Sequence, residues 1–160
     1  MKQITIGEKK YDLMETMFDI NDERFHIFKQ WLLQIFEKVN EPLFLTTYTK
    51  YIQNFNSGNH ADGLLEWVNY KKAISLKQLN YDAYTYCFAL ICLEEGEKQN
   101  DISDITHERK IKEMREAGLS RGVVEQAVEN FIKASGTILG VYAQMLELMK
   151  TPLPEEFLKE

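Results

Sequence analysis

The residues that could do chemistry are two cysteines, three histidines and a large set of carboxylates, and their spacing decides what they can do. Cys87 and Cys92 stand five apart inside an apolar run, 83–93, whose one polar member is Thr85. That spacing makes neither a redox pair nor a zinc knuckle, so both are expected as reduced core thiols. They ask for no oxidising compartment. His26 lies beside apolar neighbours and reads as a surface or half-buried side chain. His60-Ala61-Asp62 stands at a helix start, where Asp62 serves as a dipole partner or a cap. His107-Glu108 lacks the second His that an H-E-x-x-H zinc helix requires. The acidic stretch Glu94, Glu95, Glu97, Asp101, Asp104 departs from EF-hand spacing and lacks its central Gly in register, which argues against calcium. No G-x-x-x-x-G-K-S/T, G-x-G-x-x-G or G-x-S-x-G occurs, so the readily recognised phosphate cradles and nucleophile elbow are missing. None of the 25 Asp and Glu residues sits in an apolar context that would raise its pKa into a useful range. The expectation is a chain without catalytic residues, metal ligands or cofactor.

One stretch has the form of a recognition motif. Residues 111–125 read as a helix-turn-helix, with Gly118 in the turn and Ser120 capping the second helix. A DNA reader needs Arg, Lys, Asn or Gln outward, with phosphate contacts around them. Arg121 and Gln126 qualify, but Glu125 and Glu129 would face the polyanion. The net charge of -6 points the same way, against nonspecific nucleic-acid or anionic-membrane binding. A DNA-associated regulator using 105–131 is the alternative reading.

The element that would organise these residues is 80–95. Asn80 is a natural N-cap, and a helix apolar on all sides must be covered all round. Its apolar run is about half the ~20 residues a membrane span needs, and no other stretch reaches that length. Glu94-Glu95 would continue the helix. Before it, residues 2–13 read as a β-hairpin: Ile4 and Ile6 alternate, Gly7-Glu8-Lys9 turns, and Tyr11 and Leu13 alternate on the return. A lone hairpin is marginal in water, so its apolar face packs on this chain's helices or on a neighbouring subunit. No later segment reads as a third strand.

Asn21 caps a predicted helix to about Val39, with Phe25, Phe28, Leu32, Ile35 and Val39 on one face. Asn40-Glu41-Pro42 ends it and starts another, with Phe44, Tyr48, Tyr51, Ile52 and Phe55 inward. A third, about 61–79, buries Leu64, Leu65, Trp67, Val68 and Ile74 and exposes Lys71, Lys72 and Lys77. After the acidic loop comes a charged helix, 105–116, whose large apolar groups are Ile105, Ile111 and Met114. It should be mobile or lie on a partner. The longest pattern, 120–150, spaces Val124, Val128, Phe131, Ser135, Ile138, Tyr142, Met145 and Met149 by fours and threes, like a coiled-coil seam. Gly136 and Gly140 weaken its middle, and Pro152 and Pro154 stop it. Phe157-Leu158 follow in the tail.

The opening Ile4-Thr5-Ile6-Gly7-Glu8-Lys9-Lys10-Tyr11-Asp12-Leu13 resembles the hairpin that begins many small bacteriophage proteins, notably tail assembly chaperones. There, a strand, a Gly-containing turn with Lys and a Tyr-bearing strand precede a helical body. The resemblance implies a non-enzymatic phage structural or assembly protein, chaperone-like or neck/connector-like. Its partners would be other phage protein subunits or further copies of itself, in the host cytoplasm or the virion, with no membrane. The fold class expected is mainly α: a bundle of five to six helices around a buried central helix, with a short N-terminal β-hairpin. One domain, 1–160, divides into the hairpin (1–14), a helical core (20–95), the acidic loop (96–104), a helical hairpin with a long second helix (105–150) and a tail (151–160). Candidate interface residues are Ile4, Ile6, Tyr11, Leu13, Phe131, Ile138, Tyr142, Met145, Phe157 and Leu158.

Overall fold

The computed structural model describes residues 1–37, 41–75 and 79–150, without the side chains of 41, 72–75 and 148. Val39, Asn40, Lys77, Pro152, Pro154, Phe157 and Leu158 therefore lie outside the described residues, as do the side chains of Lys72 and Ile74. The chain is mainly helical with a short N-terminal hairpin. It forms two compact units, Met1–Ile35 with Asn80–Ala143, and Phe36–Leu79 with the chain from Gln144 onward.

The first unit is built on α4 (Tyr81–Ile91). Asn80 Oδ1 accepts the Ala83 N–H at 3.2 Å, the cap its sequence position promises. From Ala83 to Cys92 every side chain but the half-buried Tyr86 is buried, and both cysteines are free thiols. The expected all-round cover comes from α1 (Asp22–Ile35), α5 (Asp104–Glu116) and α6 (Arg121–Ala134). Phe28 of α1 meets Phe131 of α6 at 4.8 Å, and Trp31 stacks on Tyr86 at 3.9 Å. Asn21 caps α1 through the Arg24 amide. The chain leaves this unit after Ile35 and returns at Asn80, whose N–H bonds Ile35 O at 3.3 Å.

The helix does not continue to Glu95. Residues Cys92–Glu94 turn into a strand, β3, which pairs antiparallel with β2 (Lys9–Leu13), itself paired with β1 (Lys2–Ile6). The third strand that sequence reasoning did not find comes from the end of the central helix, where periodicity is silent about a three-residue segment. Its pairing covers one open edge of the hairpin. Ile6, Tyr11 and Met14 are buried in this chain. At the turn, Gly7 has φ +62° and a Cβ there would stand 2.8 Å from the Ala117 Cβ, so glycine is required twice over.

Two further expectations fail. The charged helix is not poorly anchored: α5 buries His107, Lys110, Ile111 and Met114. The 30-residue seam is two helices, α6 and α7 (Gly140–Lys150), separated by a 3-10 turn at Gly136–Ile138. Gly136 takes φ +66°, which an L side chain resists. Ser135 is buried, donates to Phe131 O at 2.6 Å and accepts the Met17 N–H at 3.2 Å. Local capping and a tertiary bond thus outweigh the apolar period.

The second unit pairs α2 (Glu41–Asn56) with α3 (His60–Ser75). Phe44, Tyr48, Tyr51, Trp67 and Tyr70 form its aromatic seam, with centroids 5.4–6.3 Å apart. Phe44 is buried as expected, but Ile52, Phe55, Leu64 and Leu65 are exposed, and Lys71 is buried where an exposed lysine was expected.

Candidate functional site

The densest gathering of charged groups lies at the C-terminal end of α4. A helix buried to its last residue leaves four carbonyls without intrahelical partners, and here each finds one. The Cys92 amide takes Phe88 O and the Met14 amide takes Ile91 O at 2.8 Å. The other two receive cations. Lys110 Nζ donates to Ala89 O at 2.9 Å and to Cys92 O at 2.8 Å; Arg24 Nη1 donates to Leu90 O at 2.9 Å. Positive charge at that end also complements the helix dipole.

Glu97 sits between the cations. It accepts Arg24 Nη2 at 2.8 Å, Lys110 Nζ at 2.6–2.8 Å and the Glu94 amide at 2.9 Å. The rest of the Arg24 guanidinium holds the acidic loop, through Gln99 O at 2.8 Å and Asp101 O at 2.9 Å. Arg24 and Lys110 side chains are 0 % exposed and Glu97 6 %. Burial alone would push the Glu97 carboxyl up. Hydrogen bonds from Lys110 and Arg24 outweigh it and hold that carboxyl below its ordinary range. Burial pulls the Lys110 ammonium down while Glu97 opposes, and its three acceptors occupy all three N–H donors. His107, one turn before Lys110, is buried with Nε2 lacking a hydrogen-bond partner. Burial, then Lys110 and Arg24, lower it to about 4.

Each charged member of this cluster is engaged by the others or by backbone, so none is free to act as base, acid or nucleophile. The arrangement is a clasp that closes a buried helix end. Beside it, loop 94–103 and α5 bound a cleft of about 690 Å³ lined by Glu94, Glu95, Asp101, Ser103, Thr106 and Arg109 among others. Two of its lining residues, Glu94 and Arg109, belong to a ring of ion pairs, Lys9–Glu94, Lys9–Glu113, Arg109–Glu94 and Arg109–Glu113, at 2.6–3.2 Å. Among the described residues no group of His, Cys, Asp and Glu could hold a metal ion.

Sequence reasoning missed Arg24, Glu97 and Lys110. A signal existed for two of them: 24-28-32-35 is one helical stripe, as is 107-110-111-114. Drawing the faces from apolar residues alone left Arg24 and Lys110 out of both stripes.

The candidate interface residues scatter. Ile6, Tyr11, Phe131 and Met145 are buried within the chain, so the surface they would offer is already covered. Ile4, Leu13 and Tyr142 are half-buried, and Ile138 is exposed. In the helix-turn-helix stretch, Ser120 caps α6 through the Val123 amide as read from sequence. Arg121 pairs with Glu125 at 2.7 Å and lies over the Tyr81 ring, and Arg115 reaches Asp82 at 3.2 Å.

Several exposed large apolar side chains lie on the α2–α3 hairpin. Leu45 and Ile52, seven apart, share a line on α2 away from Lys50; Leu64 lies on α3 away from Glu66. The Lys50–Glu66 pair marks one edge of the hairpin, so these side chains share the other edge. Phe55, against His60 at 4.6 Å, is also exposed, and Leu65 is exposed on the back of α3. Among the described residues no helix is long and apolar enough to cross a membrane. No family model, curated protein or solved structure matches the chain.

Proposed function

We propose that this chain acts without catalysis, by contact with other polypeptides, as a small phage structural or assembly protein of the tail-chaperone or neck/connector kind. The observation that carries the first half is the exposure of Leu45, Ile52, Phe55, Leu64 and Leu65 on the α2–α3 hairpin. Several large apolar side chains exposed on one helical hairpin suit a surface that meets another polypeptide. The buried charges are meanwhile consumed in holding the fold. The second half is supported by the resemblance of residues 4–13 to the hairpin that opens tail assembly chaperones.

Light scattering with a DNA shift assay tests it. A defined oligomer, or a stable complex with a co-expressed neighbouring gene product, indifferent to DNA, is the expected result. The hairpin variant Leu45→Ser with Leu65→Ser should dissociate it while keeping its helical circular dichroism. A strict monomer that retards DNA, with affinity falling steeply in salt, would overturn the proposal in favour of a regulator using 105–131.

A further inference from the structure

Phe18 is 87 % exposed, the most exposed aromatic side chain among the described residues with a stated exposure, and the backbone beneath it is unusually well fixed. Every amide from Met14 to Asp19 is bonded. Met14 N–H goes to Ile91 O, and those of Glu15 and Thr16 to Asp19 Oδ2 at 3.0 and 3.1 Å. Met17 N–H reaches Ser135 Oγ, Phe18 N–H reaches Thr16 Oγ1 at 3.2 Å, and Asp19 N–H reaches Thr16 O. On the far side, Gln99 accepts the Asn21 amide and donates to Asp19 O at 2.9 Å. A single exposed aromatic needs no explanation. One presented on a loop with six consecutive satisfied amides loses little freedom when it is bound.

The Met17–Ser135 bond joins this loop to the corner after α6, where Ile138 is also exposed. The surroundings are acidic: segment 15–23 carries Glu15, Asp19, Asp22 and Glu23 with no Lys or Arg, and Asp101 lies on the loop bonded to it. The exposed cations nearby are Lys98, Lys133 and the N-terminal ammonium, which pairs with Glu15 at 3.7 Å, so the corner keeps a net negative charge. A polyanion is disfavoured here, and a second copy would bring the same carboxylates against these. We infer that the Phe18–Ile138 corner docks a basic amphipathic helix of another polypeptide, the apolar stripe taking the two side chains and Lys or Arg meeting the carboxylates. The inference rests on the proposal that this protein works through polypeptide contacts, but concerns a different surface from the α2–α3 edge.

The test is an amide chemical-shift titration of the full chain with a Leu/Lys amphipathic helical peptide and its Leu/Glu counterpart. Shifts should concentrate at 15–23 and 135–139 with the Lys peptide alone. Phe18→Ser should weaken that binding by about tenfold or more; so should Glu15→Gln with Asp22→Asn and Glu23→Gln. Phe18→Leu should retain most of it. Unchanged melting of these variants would show that the fold is intact. Equal binding of both peptides, no loss with Phe18→Ser, or self-association through the corner without peptide would overturn the inference. Shifts confined to α2–α3 would overturn it too, while leaving the wider contact reading standing.

Discussion

The clasp at the end of α4 and the α2–α3 hairpin invert the usual disposition of side chains. At the clasp, two cations and a carboxylate are buried and each charge is matched by a partner or a carbonyl. On the hairpin, leucine, isoleucine and phenylalanine face solvent, while the Tyr70 hydroxyl is buried without a hydrogen-bond partner. Burial pushes that phenol up to about 12, with no opposing group. The difference teaches where each region's demands come from. The clasp answers the backbone, whose four carbonyls at a dry helix end need donors. On the hairpin, the turn between the helices closes its backbone locally, through Ser57 N–H to Gln53 O and Asn59 N–H to Asn54 O, while large apolar side chains stay exposed.

The sharpest way to break the contrast is Arg24→Met. It strands Leu90 O and Gln99 O and removes one of the cations facing Glu97, so the first unit should lose about 3–5 kcal/mol in urea unfolding. If the change is neutral, the clasp is ornament, and burial of its charges is no guide to its importance. Acid should open the same region. His107 is held at about 4 against an ordinary 6.5. Its neutral form is therefore favoured in the folded state, and stability is full above pH 6.5. It falls as pH drops towards 4, by up to about 3 kcal/mol. Glu97, also depressed, adds a further loss below its ordinary range near 4.5. His107→Phe should flatten the 6.5-to-4 portion of a urea-midpoint profile and leave the more acidic limb.

Smaller effects sharpen the comparison from the other side. Gly136→Ala forces a side chain into φ +66° and should cost about 1–2 kcal/mol in thermal melting. A gain in stability would mean that α6 and α7 tolerate fusion into the longer helix that periodicity favours. Leu65→Ser, at an exposed hairpin position, should move stability by no more than about 0.5 kcal/mol. A large loss there would place Leu65 in a core and remove the contrast.

Much of the local architecture was readable. Asn21, Asn80 and Ser120 cap helices as side chains of their type do, and Ile4, Ile6, Tyr11 and Leu13 alternate along a hairpin that forms. The clasp was not readable because its members sit at residues 24, 97 and 110 and meet through space alone. Counting only Ile105, Ile111 and Met114 as anchors also left Lys110 and His107 out of the buried face of α5. The Ile138 and Met145 seam failed for a different reason: a regular apolar period was interrupted by Gly136 and by a bond from Ser135 to Met17, more than a hundred residues away.

What sequence by itself determined is what neighbours in the chain decide: helix caps, the hairpin, and an apolar segment at 83–93 that had to be buried. What only the tertiary structure decided is which polar groups the interior would accept. A buried helix end demands donors whatever the sequence nearby provides, and it drew Arg24 and Lys110 from two other helices. Charge is hydrophilic on its own, and becomes core material once carbonyls and a carboxylate replace its water.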